Sequence, residues 1–307
     1  MQPRPANADQ PKAASLHQPN IDIHAFHEFE RQGWETSASA YSQHLGRLTS
    51  AAIPRLLDAV DAQTGTRLID LATGPGYVAA AAHQRGCDVV AVDFSENMIA
   101  LAKSRNDPRI DFQVADVEKL PQADASFDAA LMNFGILHLS QPERGLSEIF
   151  RLLKPGGKMA FTVWAGPEEA EGLNLVRRAI ETFGNPNVSI PDGPSFFAFA
   201  DSVHTDRVLT DLGFVTIAAQ NLSLVWVLDS AQDLFTALYE GTARTGELLR
   251  RQHPDALEAI QRAVAGNCAP YVSDGKARIP MPAILYTAAK PADSSTSTPQ
   301  NAHNPHP

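Results

Sequence analysis

The chain of 307 residues carries 35 acidic side chains against 25 Lys and Arg, a formal net charge of -10. It is long enough to bury a substantial core, so one domain plus a cap is expected, and its acidic balance works against nucleic acid and anionic membranes as partners. Its two cysteines, Cys87 and Cys268, have neither metal nor redox spacing. No apolar run nears a membrane span and no basic-then-apolar start marks a secretory signal, so a cytoplasmic protein with reduced thiols is expected.

Residues 1–20 and 291–307 are polar and Pro-containing, with few large apolar groups, and read as disordered tails. Residues 21–62 read as an N-terminal helical cap, with Ile53, Leu56, Leu57 and Val60 on one stripe. Residues 63–290 read as one α/β domain. Its first strand, Thr66–Leu71, contains Asp70 and breaks at Gly74-Pro75-Gly76 before a helix over Val78–Ala82. Strand, glycine turn and helix make the ligand-binding corner of a doubly wound sheet, where a missing Cβ lets backbone approach a ligand. The second strand, Asp88–Val92, ends in Asp93. An acid there can accept hydrogen bonds from ribose hydroxyls, or simply cap the helix Ser95–Lys103. A third strand, Ile110–Val114, leads to Asp116-Val117, and a fourth, Phe127–Met132, opens into Asn133-Phe134-Gly135. A helix over Glu143–Leu153, a turn at Lys154–Gly157 and a fifth strand, Lys158–Trp164, follow.

Further on, the pattern predicts a helix over Glu168–Phe183, a loop over Pro186–Pro194 and a helix over Ser202–Leu212 stopped by Gly213. Phe214–Val227 reads as one long strand with Val215, Ile217, Leu222, Leu224 and Trp226 as its buried candidates. Two helices, Ala231–Arg251 and Pro254–Val264, make an insertion at about 230–270 before a last strand, Pro282–Ala289.

Taken in order, Asp70-Leu-Ala-Thr-Gly-Pro-Gly76, Val92-Asp-Phe-Ser-Glu-Asn-Met98, Val114-Ala-Asp116, Phe127-Asp128 and Leu152-Leu-Lys-Pro-Gly-Gly157 resemble a known family. It is the class I S-adenosylmethionine-dependent methyltransferases, in the small-molecule group related to the ubiquinone/menaquinone methyltransferases. The likeness spans residues 64–165 and departs from the family at Ala72, where Gly is usual. It implies a doubly wound, seven-stranded, mostly parallel sheet of order 3-2-1-4-5-7-6 with the seventh strand antiparallel. The N-terminal and inserted helices would cap the carboxyl ends of the strands. It also implies S-adenosyl-L-methionine as cofactor and in-line methyl transfer to a small-molecule acceptor.

The same resemblance distributes the site. Asp70, Ala72, Gly74 and Gly76 would lie by the methionine part of the cofactor, Asp93 by the ribose, Met98, Asp116 and Val117 by the adenine, and Asn133 between methionine and acceptor, with Phe94 also at the cofactor. His138 follows the fourth strand, where an imidazole can reach an acceptor proton, though a turn-capping role is as natural. Trp34 or Tyr41 could close over the cofactor. Tyr41, Trp164 and Tyr239 are candidates for the acceptor pocket, and Arg244 could hold an acidic acceptor by a bidentate contact. His24 and His27 share a helix face, but without a third ligand no metal site is expected; His303 and His306 fall in the tail.

Two rivals stand beside methyl transfer. A nicotinamide dehydrogenase shares the strand, turn and acid, but it expects a third glycine where Ala79 stands. A non-catalytic S-adenosylmethionine-binding protein would not need the Asn133-Phe134-Gly135 segment. Neither the acceptor atom nor the oligomeric state can be read from the sequence.

Overall fold

A computed structural model describes residues 21–293, so the expected tail at 1–20 and all of the expected tail 291–307 from residue 294 on, with His303 and His306, lie outside the described residues. Three helices come first: α1 (Ile23–His44), α2 (Gly46–Ser50) and α3 (Ile53–Ala59). Asp22 starts α1 by accepting a hydrogen bond from the Ala25 N–H at 3.0 Å. There follow β1 (Arg67–Leu71), α4 (Tyr77–Gln84), β2 (Asp88–Asp93), α5 (Glu96–Arg105), β3 (Asp111–Val114), β4 (Phe127–Asn133), α6 (Pro142–Leu152) and β5 (Leu153–Trp164). The rest comprises α7 (Glu171–Phe183), α8 (Ser202–Asp211), β6 (Val215–Leu222), β7 (Val225–Leu228), α9 (Asp233–Gly241), α10 (Arg244–Arg250), α11 (Pro254–Asn267), β8 (Val272–Ser273), β9 (Lys276–Pro280) and β10 (Ala283–Ala289).

The main sheet runs β3-β2-β1-β4-β5-β10-β6. Strands β1 to β5 are parallel, and β10 is antiparallel to both β5 and β6. With β10 in seventh place this is the expected order. β1 and β2 are apolar and buried beyond their first residue because helices cover both faces of a parallel sheet. Helix α6 shows how a face is covered: Leu146, Ile149 and Leu152 recur at helical spacing and are fully buried. No helix among the described residues is long and apolar enough to cross a membrane.

Three elements differ from the sequence expectation. Lys154–Gly157 is not a turn ahead of β5 but an irregularity within it: β4 pairs Phe127 with Leu153 and then Ala129 with Lys158. Gly156 takes φ 78°, and a Cβ on Gly157 would lie 2.8 Å from the Lys154 carbonyl oxygen, so both glycines are sterically required.

The expected strand Phe214–Val227 is two strands in two sheets. β6 is the edge of the main sheet, with Val215 exposed and Ile217 half-buried, while β7 joins a small antiparallel sheet of order β7-β9-β8. Trp226 and Leu222 are buried as expected, but on either side of the break. Alternation fixes which residues face inward; it does not fix which sheet receives them. The expected helix 231–251 also divides, because Thr242 is extended between α9 and α10.

Candidate active site

A cavity opens at the carboxyl ends of β1, β2 and β4. This is where ligands enter an open α/β sheet. α1, α2 and the α9–α10 junction roof it with Trp34, Tyr41, Leu48, Thr49, Leu238 and Ala243.

Its floor is the glycine turn. Asp70 is buried, and its Oδ2 accepts from the Thr73 hydroxyl at 2.5 Å and the Ala79 N–H at 3.0 Å. Its Oδ1 is equally buried and has no hydrogen-bond partner among the described residues. Burial, only partly offset by those two bonds, pushes the carboxyl up to about 7. Asp93 is buried at the tip of β2 and accepts from the Gly74 N–H at 2.8 Å and the Ser95 N–H at 3.0 Å. Burial raises it to about 6 despite those bonds. The turn leaves room: a Cβ on Gly74 would meet nothing closer than Met98 Sδ at 3.9 Å. Gly76 does not line the cavity. Its φ of 82° and the approach of Asn106 and Phe112 to its α-carbon make it a folding glycine. Ala72 holds φ 52°, a left-handed conformation that costs a residue with a Cβ roughly 1–2 kcal/mol.

Phe94, Met98, Asp116 and Val117 line the same cavity. Asp116 is already engaged, since His27 on α1 bonds its Oδ2 at 3.1 Å and the Glu118 N–H donates to its Oδ1. Asn133 is also tied into the frame: its amide donates to the Thr49 carbonyl at 3.1 Å and its Oδ1 accepts from Thr162 at 2.7 Å.

The other wall is aromatic. Phe134, at φ 57°, stacks on Trp164 with ring centres 4.0 Å apart, and Trp34 meets Tyr41 edge-on at 5.5 Å. Tyr41 bonds Thr49 at 2.9 Å, and burial raises its hydroxyl to about 12. Phe196 and Trp226 also line this half. Tyr239 does not line the cavity: it stacks on Phe235 below the Arg250 guanidinium, while its α9 neighbour Leu238 and Thr242 after the helix line the cavity in its place.

Between the halves lies a buried carboxylate that the sequence reading did not single out. Glu30 on α1 is fully buried. Its Oε2 bonds His138 Nδ1 and accepts from the Trp34 indole, each at 3.0 Å, and its Oε1 accepts from Arg244 Nε. Arg244 also donates to the carbonyls of Pro194 at 3.1 Å and Leu137 at 2.8 Å, and lies over the Phe26 ring. Arg244 is therefore not a free anchor for an acidic acceptor; its fork is spent on the fold. Burial works against the Glu30 charge, but His138 and Arg244 outweigh it and hold the carboxyl below its ordinary value. The signal in sequence was an acid inside the stripe Phe26, Glu30, Trp34, Ala38 and Tyr41, where an unpaired charge would be costly.

A family model described as a methyltransferase domain matches residues 69–161. A demethylmenaquinone methyltransferase of Paenarthrobacter aurescens is 34% identical over 177 residues, 55% of this chain and 70% of the relative. The chain belongs to the class I S-adenosylmethionine-dependent methyltransferases. It is an enzyme of that family, whose cofactor is S-adenosyl-L-methionine. Among solved structures, phosphoethanolamine N-methyltransferase 2 of Haemonchus contortus in complex with S-adenosyl-L-methionine matches with TM-score 0.52 and 22% identity, over 87% of this chain and 60% of that one. The [4+2]-cyclase SpnF matches with TM-score 0.50 and 21% identity, over 80% of this chain and 82% of that one. Neighbours this distant share the fold, and the fold alone does not choose the chemistry.

Among the described residues no group of three or more His, Cys, Asp or Glu side chains could hold a metal ion, and His27 is turned to Asp116.

Proposed function

We propose that this methyltransferase binds S-adenosylmethionine across the Asp70, Gly74 and Asp93 floor and transfers its methyl group to a small acceptor held against the Phe134 and Trp164 wall. The observation that carries this is the buried Asp70 Oδ1 without a partner among the described residues, on a side chain that lines the cavity. An ammonium group of the cofactor would satisfy it, and Asp93 would serve the ribose. Phe94, Met98, Asp116 and Val117 form a pocket suited to a purine, with His27 sharing Asp116. The cofactor, when bound, supplies an activated methyl group on a sulfonium leaving group. The chain's own contribution is alignment and exclusion of water, which can supply about 7–11 kcal/mol of barrier lowering without any catalytic triad.

The apolar, aromatic acceptor half suits a flat, apolar acceptor. In this reading residues 21–62 and the inserted helices act as a cap over one methyltransferase domain, and the buried free thiols of Cys87 and Cys268 suit a cytoplasmic enzyme. Calorimetric titration tests the assignment. S-adenosylmethionine and S-adenosylhomocysteine should bind and NAD should not; tight NAD binding would favour the dehydrogenase reading. Release of S-adenosylhomocysteine over an acceptor panel separates the enzyme from a mere binder.

A further inference from the structure

We infer that Glu30 and His138 form a base pair of residues for the transfer: Glu30 fixes the imidazole, and His138 Nε2 takes a proton from an O–H or N–H acceptor as it is methylated. This rests on the cofactor and acceptor halves assigned above.

The geometry leaves little freedom. Glu30 bonds Nδ1 at 3.0 Å, so the neutral ring must carry its proton on Nδ1, and Nε2 keeps its lone pair. His138 lines the cavity, and Nε2 makes no hydrogen bond among the described residues. The ring is held edge-on to Trp34 with centres 4.7 Å apart and to Phe196 at 6.1 Å. Glu30 in turn is kept as an anion, because Arg244, a permanent cation, bonds its other oxygen. A buried, ionised carboxylate behind an imidazole orients the ring and stabilises the imidazolium that forms when Nε2 accepts a proton. The charged groups facing the ring are Glu30 from α1, Arg244 from α10 and Asp93 from the tip of β2.

The step balances. A bond forms between the acceptor oxygen or nitrogen and the methyl carbon, the carbon–sulfur bond breaks with its electron pair left on sulfur, and the acceptor proton moves to Nε2. His138 then returns that proton to solvent. Glu30 does not touch the acceptor and acts as a positioning residue.

Nitrogen-15 spectra of histidine-labelled protein bound to S-adenosylhomocysteine test the pair without an acceptor. His138 is assigned by the signal lost in His138→Gln. The expected result is the Nδ1–H tautomer in the wild type at alkaline pH. An Nε2–H tautomer overturns the proposal. The kinetic arm supplies S-adenosylmethionine with a panel of phenols, hydroquinones and primary amines. His138→Gln should lower turnover by roughly 10²–10⁴-fold, lose the acid limb of the pH profile and keep its cofactor affinity. Glu30→Gln should lower turnover with the cofactor KM unchanged and move that limb to lower pH, and Glu30→Asp should restore part of the rate. An unchanged limb in both variants overturns the pair, as does donor binding without methylation of any panel member. Failure to bind S-adenosylhomocysteine would instead overturn the cofactor site itself.

Discussion

The two halves of the cavity are built in opposite ways. The floor of the cofactor half comes from a short stretch of chain: Asp70, Thr73, Gly74 and Ala79 make one turn, and Asp93 from the adjacent strand closes it by accepting from the Gly74 N–H. The acceptor half is assembled from remote parts of the sequence. Glu30 on α1 meets His138 after β4 and Arg244 at the start of α10, and Trp226 reaches back to bond the His44 carbonyl. A local turn keeps its shape when a distant contact is lost. An assembly of remote pieces is only as firm as its shared contacts, and here one carboxylate is shared by three partners.

The sharpest way to break the contrast is Glu30→Ala. It leaves Arg244 and His138 without their buried partner, and removing one member of a buried ion pair costs about 3–5 kcal/mol. Urea unfolding should show that loss. A change under about 1 kcal/mol, the size of an exposed pair, would mean that the acceptor half does not depend on Glu30.

Asp93→Ala probes the local half. It removes the carboxylate from the turn and from the ribose together, so affinity for S-adenosylhomocysteine should fall about ten- to a hundredfold, or roughly 1.5–3 kcal/mol. Equal affinities of wild type and variant by titration would remove Asp93 from the cofactor site.

The same contrast explains what the sequence told. The glycine turn and the placement of Asp70, Asp93 and Asn133 at strand tips were legible because each is a local pattern in apolar runs and turn residues, whereas the sheet order came only through the family resemblance. The Glu30 network was not, because no local rule pairs an acid on the first helix with residues more than a hundred positions away. Arg244 illustrates the error this produces. Read alone it resembled a free anchor for an acidic acceptor, whereas three protein oxygens already hold it. Tyr239 erred by a smaller margin, one helical face, because the end of α9 sets which side chains turn inward. The break between β6 and β7 had no turn signal stronger than Ser223-Leu224.

A finer test addresses Ala72, the family departure. A Cβ on Gly135 would lie 2.6 Å from the Ala72 Cβ and 2.8 Å from Met132 Cγ, so Gly135 is the residue that makes room for alanine at 72. Gly135→Ala should cost about 1–3 kcal/mol by overpacking. Ala72→Gly should recover part of it by removing the contact, giving a coupling of at least about 0.5 kcal/mol. Strictly additive melting shifts would mean the two sites do not meet.

The smallest effect separates the halves by pH. Asp70 and Asp93 have carboxyls raised by burial to about 7 and about 6, from an ordinary 3.8. A raised acid favours the protonated form in the fold, so these two groups stabilise the cofactor-free protein at low pH, and that contribution is lost as pH rises from about 4 through 7. Cofactor binding has the opposite sign, because a cationic ammonium at Asp70 needs the ionised carboxylate. Affinity for S-adenosylhomocysteine should therefore rise with pH, by about tenfold or 1.4 kcal/mol for each unit below 7, and level off above it. Asp70→Asn carries no such charge. It should be at least as stable as wild type at pH 8 without cofactor, bind the cofactor more weakly there, and show a flatter dependence between pH 6 and 8. Titrations at those two pH values, on both proteins, measure it. A wild-type affinity that does not change between them would show that the buried oxygen of Asp70 is not where the ammonium binds.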